Sequence, residues 1–198
     1  MGIRPETDEG GVFAYYGSPT GLALVPSLTL DNPTDQAYAH FGFSVASAGD
    51  IDINGYDELL VGAQRQSNPE FQEGNAFVYY GSPLGLPATP SGTFDNPVNE
   101  ESGNFGRDIA GVGDVNGDLN PDVLIGAYQQ DDTGLNEGNA FLFHGCYCGV
   151  IHTTPPSVTL DNPDDWMWGY FGISLSGAGD VNGDGYGDVV VGAPGQGH

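Results

Sequence analysis

The sequence predicts an all-β protein made of repeated groups of four short antiparallel strands. Three observations predict it. The 198 residues include 33 glycines and 14 prolines, which breaks the chain into short elements and leaves no room for long amphipathic helices. The chain repeats itself at offsets of 64 or 66 residues: Phe-Gly at Phe41, Phe105 and Phe171, and Asp-Asn-Pro at Asp31, Asp95 and Asp161. Within each repeat, short apolar runs alternate with turn-forming residues.

The first repeat shows the elements most plainly. FGFSVASAG (Phe41–Gly49) alternates small and apolar residues and reads as a first strand. An acidic loop follows. ELLVGA (Glu58–Ala63) is a continuous apolar run, the mark of a strand covered on both faces. NAFVYYGS (Asn75–Ser82), bounded by glycine on both sides, is the third strand. ATPSGTFDNP (88–97) is the fourth and ends in an Asp-Asn-Pro turn signal. Four such strands, repeated, is the pattern of a β-propeller blade.

Counted this way, the chain contains three blade-equivalents in circular permutation. Residues 1–30 supply strands three and four of a split blade, 41–94 and 105–160 are whole blades, and 171–194 supply strands one and two. Three blades fall below the usual range for a closed ring, about four to eight. Unpaired strand edges template association. The expectation is a homo-oligomer or polymer in which one chain completes the split blade of the next, as a ring or a filament. The alternative is a piece of a longer receptor or lectin-like propeller that binds protein or carbohydrate.

The acidic loop is the chemical centre of each repeat. The copies are GDIDINGYDELLVGA (Gly49–Ala63), GDVNGDLNPDVLIGA (Gly113–Ala127) and GDVNGDGYGDVVVGA (Gly179–Ala193). Oxygen-bearing side chains stand at loop positions 1, 3, 5 and 9, and position 7 offers a backbone carbonyl. These are Asp50, Asp52, Asn54, Glu58 and the Tyr56 carbonyl; Asp114, Asn116, Asp118, Asp122 and the Asn120 carbonyl; Asp180, Asn182, Asp184, Asp188 and the Tyr186 carbonyl. Alternation lets a tight loop wrap successive oxygens round one ion. Three carboxylates and one amide suit Ca²⁺, up to three ions per chain, better than the stricter octahedron of Mg²⁺. An EF-hand is excluded, because its twelfth position needs Glu and here holds Val61, Ile125 or Val191 inside a strand. Position 6 is Gly55 and Gly185, where a sharp turn favours positive φ, but Leu119 in the second loop.

FG, the acidic loop, LLVGA and the intact Gly192-Ala193-Pro194 together resemble the FG-GAP repeat, which builds the propeller of integrin α subunits. The resemblance runs along the whole chain. It implies that Phe-Gly opens the inner strand, that the loop between strands one and two binds Ca²⁺, and that ligands meet the opposite face. On that face the resemblance places Asp164–Tyr170, where Trp166, Trp168 and Tyr170 are candidates to stack on a sugar or a partner side chain. Packing across a blade interface is the competing reading.

The formal net charge is −24 with three basic residues, which disfavours nucleic acid and anionic membranes. No apolar run is long enough to span a bilayer, and Met1–Gly11 lacks the regions of a signal peptide. Cys146 and Cys148 are too close together to frame a fold. With His144 and His152 they form a set of zinc-type ligands too tightly spaced for the usual site. No nucleophile motif or phosphate-binding loop occurs. The functional expectation is a non-enzymatic, calcium-binding, extracellular module with a structural or adhesive role. A Ca²⁺-dependent hydrolase is the outside alternative.

Overall fold

A computed structural model describes residues 8–132, 134–146, 151 and 153–197. In chain order the strands are β1 (Gly11–Ala14), β2 (Gly17–Ser18), β3 (Gly21–Leu22), β4 (Leu28–Asp31), β5 (Phe41–Gly49), β6 (Glu58–Ala63) and β7 (Asn75–Tyr79). Then come β8 (Gly92–Asp95), β9 (Phe105–Gly113), β10 (Asp122–Ala127), β11 (Asn139–Phe143), β12 (Val158–Asp161), β13 (Ser174–Gly179) and β14 (Asp188–Gly192). No helix occurs among the described residues.

Two sheets are complete four-stranded meanders, β5-β6-β7-β8 and β9-β10-β11-β12. β1 pairs with β4, and β13 with β14, as two-stranded sheets. β2 and β3 form a small hairpin that the hydrophobic pattern does not announce; its two glycines and exposed side chains give no alternation to read.

The sheets stack in chain order, and one apolar cluster fills each gap. Val12 and Leu30 meet Phe41, Val61, Phe77 and Tyr79 in the first. Leu60, Val78 and Phe94 meet Phe105, Ile125, Phe141 and Phe143 in the second, with Phe94 and Phe143 edge-on at 4.9 Å. Leu124 and Leu142 meet Leu175, Val189 and Val191 in the third. β9 packs against both β5 and β13, so the first strands of successive sheets lie side by side. The second and third strands of the complete sheets, β6, β7, β10 and β11, are buried almost throughout. Their counterparts at the ends, β14 and β1, are half-exposed, because each has a neighbour on one side only.

The repeated Phe-Gly and Gly-Ala pairs have a steric cause. Gly42, Gly106 and Gly172 all adopt φ near +80° (81°, 81° and 83°), the first two at an irregularity at the start of the first strand and the third just before β13. A Cβ on Gly106 would press on the Asn75 carbonyl of the preceding sheet, and a Cβ on Gly62 or Gly126 would collide with the carbonyl of Gly106 or Gly172. Only glycine permits both the backbone angle and this approach. The same seam carries a repeated hydrogen bond: the N–H groups of Phe41, Phe105 and Phe171 donate to the carbonyls of Glu9, Glu73 and Glu137 at 2.7, 2.7 and 2.8 Å.

Candidate metal centres

Each acidic loop joins the first two strands of its sheet and folds on its own side-chain oxygens. Asp114 Oδ1 accepts from the N–H groups of Gly117 and Asp118, and its Oδ2 from Leu119, at 2.7, 3.1 and 2.7 Å. Asp180 repeats this with Gly183, Asp184 and Gly185 at 2.7, 3.0 and 2.9 Å. Asp50 accepts from Asn54 and Gly55 at 2.9 and 2.8 Å. Positions 3 and 5 are linked by their own pair. Asn116 Nδ2 donates to Asp118 and Asn182 Nδ2 to Asp184, at 2.9 and 3.0 Å. The first loop reverses the direction, with Asn54 Nδ2 donating to Asp52 at 2.8 Å. Thus the amide has moved from position 3 to position 5 while the two side chains stay together.

The carboxylate at position 9 closes the loop from the strand side. Glu58, Asp122 and Asp188 accept from the N–H at position 2, those of Ile51, Val115 and Val181, at 2.5, 2.8 and 2.8 Å. In the complete sheets a second donor arrives from beyond the third strand: Gly81 N–H to Glu58 at 3.3 Å and Gly145 N–H to Asp122 at 2.9 Å. Glu58 and Asp122 are buried, whereas Asp188 is half-buried. Burial, with Asp52 and Asp50 adding to it, pushes the Glu58 carboxyl up to about 7. Burial also raises Asp122. Exposed Asp180 is held below its ordinary value, first by the Gly185 N–H. In the first loop the carboxylate oxygens of Asp50, Asp52 and Glu58 lie within 4.8 Å of one another.

Position 6 takes the same backbone in all three loops: φ is 91° at Gly55, 95° at Gly185 and 71° at Leu119. Leu119 therefore does not change the loop; it adopts an angle that costs a side chain energy. The Tyr56 and Tyr186 side chains are exposed and Asn120 is buried. Asp57 accepts from the Ser47 hydroxyl at 3.2 Å, away from the alternating set.

The aromatic connection is partly open. Trp166 and Trp168 are about half exposed, at 47% and 50%. Tyr170 is more covered and lies against Trp168 and Tyr128, with ring centroids 6.3 and 5.7 Å away. Sequence reasoning missed the continuation: Arg107 stands over Tyr128 at 5.4 Å and over Phe43 at 4.4 Å, and His40 stacks on Phe43 at 6.3 Å. These residues come from three repeats and share no local motif. Cys146 is disulfide-bonded, which removes its thiolate from any zinc site. Cys148 and His152 lie outside the described residues.

Four-stranded antiparallel sheets stacked in sequence, each with an oxygen-lined acidic hairpin between its first two strands, define a propeller-like repeat protein. Residues 171–198 match the FG-GAP repeat family model, so the chain carries an FG-GAP repeat. It is 34% identical to Integrin alpha-5 of Xenopus laevis, over 89% of this chain and 18% of that protein. It is 32% identical to Phosphatidylinositol-glycan-specific phospholipase D of Rattus norvegicus, over 89% of this chain and 21% of that protein. Against Integrin alpha-11 of Homo sapiens the identity is 33%, over 81% and 13%. The chain therefore spans about a fifth or less of the length of these relatives. No helix among the described residues is long and apolar enough to cross a membrane.

Proposed function

We propose that this chain is a calcium-binding segment of an extracellular FG-GAP propeller, non-enzymatic, with a structural or adhesive role. The carrying observation is the loop geometry. In all three loops the carboxylates accept from backbone N–H groups and from the loop's own Asn, and in the first the oxygens of Asp50, Asp52 and Glu58 lie within 4.8 Å of one another. Like charges held this close repel unless a cation sits between them. Oxygen-only donors at alternating positions suit Ca²⁺. The extracellular assignment follows the integrin α relatives. The non-enzymatic assignment rests on the carboxylates being committed to the loops; the phospholipase relative shares only the segment that this chain covers.

Calorimetric titration with Ca²⁺, paired with thermal melts in chelator, tests this reading. We expect Ca²⁺ to raise the melting temperature, chelator to reverse it, and Asp50→Asn, Asp114→Asn and Asp180→Asn each to abolish binding at its own loop. A melting temperature indifferent to both Ca²⁺ and chelator overturns it.

A second reading concerns what completes the open edge of β14. β1 and β4 are the same kind of strand pair that β7 and β8 supply to β6. Transferring the β6–β7 register, in which Leu60 faces Val78 and Val61 faces Phe77, sets Val190 opposite Ala14 and Val191 opposite Phe13. A neighbouring repeat of a longer polypeptide or β1–β4 of a second copy would fill that edge, the latter giving a ring or filament. Light scattering and electron microscopy of this chain distinguish them: a monodisperse monomer counts against blade exchange.

A further inference from the structure

Outside the loops, carboxylates converge at one other place among the described residues. Asp132 and Glu137, in the connection from β10 to β11, and Asp161, the last residue of β12, bring carboxylate oxygens within 4.8 Å of one another. Glu137 is fully buried, and its Oε1 and Oε2 accept from the N–H groups of Asp132 and Gly134 at 2.7 and 3.1 Å. Asp132 and Glu137 in turn raise the Asp161 carboxyl, behind the larger effect of burial.

A separate observation points to a ligand. Asn139 is 4% exposed, and its Oδ1 has no hydrogen-bond partner. It stands directly opposite Asp161 in the β11–β12 ladder, so the two side chains leave the same face of the sheet. It also lines, with Asp132, a cavity of about 340 Å³. A buried amide oxygen without a donor is costly, and a cation satisfies it as well as a proton donor does.

We infer that Asp132, Glu137, Asp161 and the Asn139 amide oxygen form a fourth cation site, for a divalent ion that prefers oxygen ligands. The donor set is three carboxylates and a neutral oxygen, without nitrogen or sulfur, which selects Ca²⁺ or a similar hard ion over zinc or copper. The first complete sheet is an internal control. Glu73, Asp95 and Asn75 occupy the corresponding places, and the Asn75 Oδ1 is likewise buried without a partner, but Asn68 stands where the second sheet has Asp132, so the third carboxylate is what distinguishes the two. With two carboxylates, that place sheds charge by taking up a proton as pH falls through neutrality: burial, with Asp95 adding to it, pushes Glu73 up to about 7.

The site would brace the aromatic connection. The carbonyls of Leu135, Asn136 and Glu137 accept from the N–H groups of Trp168, Tyr170 and Phe171 at 2.8, 3.2 and 2.8 Å. Asp161 begins the same connection. An ion there would tie its start to the turn that holds its end. Trp166 and Trp168 are the two tryptophans of the sequence, and the acidic hairpin loops contain none.

That placement supplies the test. Tb³⁺ is titrated into the chain with excitation at the red edge of tryptophan absorption, where tyrosine does not absorb, and displaced with Ca²⁺. Tryptophan-sensitised emission is expected in the wild type, lost in Asp132→Asn/Asp161→Asn, and kept in Asp114→Asn/Asp180→Asn. Calorimetry should show one ion fewer in Asp132→Asn/Asp161→Asn, with an unchanged fold by circular dichroism. Asn68→Asp, which leaves the second sheet untouched, should add one ion by completing the corresponding set in the first. Sensitised emission that persists in Asp132→Asn/Asp161→Asn overturns the site, as does an ion count unchanged in both it and Asn68→Asp. Failure of the hairpin loops to bind would leave this emission intact, so the two proposals fall separately.

Discussion

Leu119 shows how one side chain can work against its own loop. At φ 71° it sits in the left-handed region, which costs a residue with a Cβ roughly 1–2 kcal/mol. It is 85% exposed, so its side chain gains little from packing in return. Leu119→Gly should stabilise the protein by up to about 1 kcal/mol once the greater unfolded-state freedom of glycine, about 0.5–1 kcal/mol, is subtracted. A higher melting temperature in chelator checks it. Glu73 makes a prediction about pH. Neither of its carboxylate oxygens has a well-formed hydrogen bond, and burial lifts the group from 4.5 to about 7. It therefore takes up a proton on folding within that window. The folded state loses stability from this group as pH rises from about 4.5 to about 7, and the deficit is then constant. Glu73→Gln should be more stable than wild type at pH 8, and the advantage should shrink as pH falls toward 5. Melts across that range give the answer.

Between residue and molecule stands the strand–loop–strand hairpin, whose closing carboxylate differs from sheet to sheet. Asp122 is buried and holds two backbone N–H groups, those of Val115 and Gly145. Asp188 is half-buried and accepts from the Val181 N–H. Removing Asp122 leaves the buried Gly145 N–H without an acceptor, at a cost of about 1–3 kcal/mol, and the part-buried Val115 N–H as well. In chelator, Asp122→Ala should lower the melting temperature far more than Asp188→Ala. In Ca²⁺ both should lose the ion at their own loop. Comparable melting temperatures in chelator would show that the second donor contributes nothing. The hairpins also show what periodicity conveys. The bounds of β5 and β6 match the runs Phe41–Gly49 and Glu58–Ala63, because alternation and a continuous apolar run are each complete within one strand. β7 ends at Tyr79, short of the Ser82 that its hydrophobic pattern implied, because Gly81 turns away to donate to Glu58.

For the whole molecule, a charge of −24 on three stacked repeats sets the dependence on ions. Self-repulsion weakens the compact state, and salt screens it over about 8–10 Å. In chelator the melting temperature should climb with added sodium chloride. Millimolar Ca²⁺ should do more than the same ionic strength of sodium, because a site filled at 100 times its Kd adds about 2.7 kcal/mol. Equal effects at matched ionic strength would reduce the loops to a general field.

Local chemistry was enough to read the repeats, the strand order within a sheet and the side chains on which each acidic loop folds. Each depends on residues within one hairpin, where spacing along the chain is also spacing in space. The sets joined across strands and sheets were not readable in that way. Glu137 and Asp161 meet through the β11–β12 pairing, and Arg107 reaches Phe43 and Tyr128 from another repeat. One signal was present: Glu-Gly recurs at Glu9, Glu73 and Glu137, in step with the Phe-Gly repeat. It could mark the position as shared, but not say that the carboxylate is buried or that Asp132 stands beside it. The glycines at the seam teach the same lesson. Their recurrence is visible in the chain, whereas the carbonyl that excludes a side chain belongs to the next sheet and exists only once the sheets have stacked.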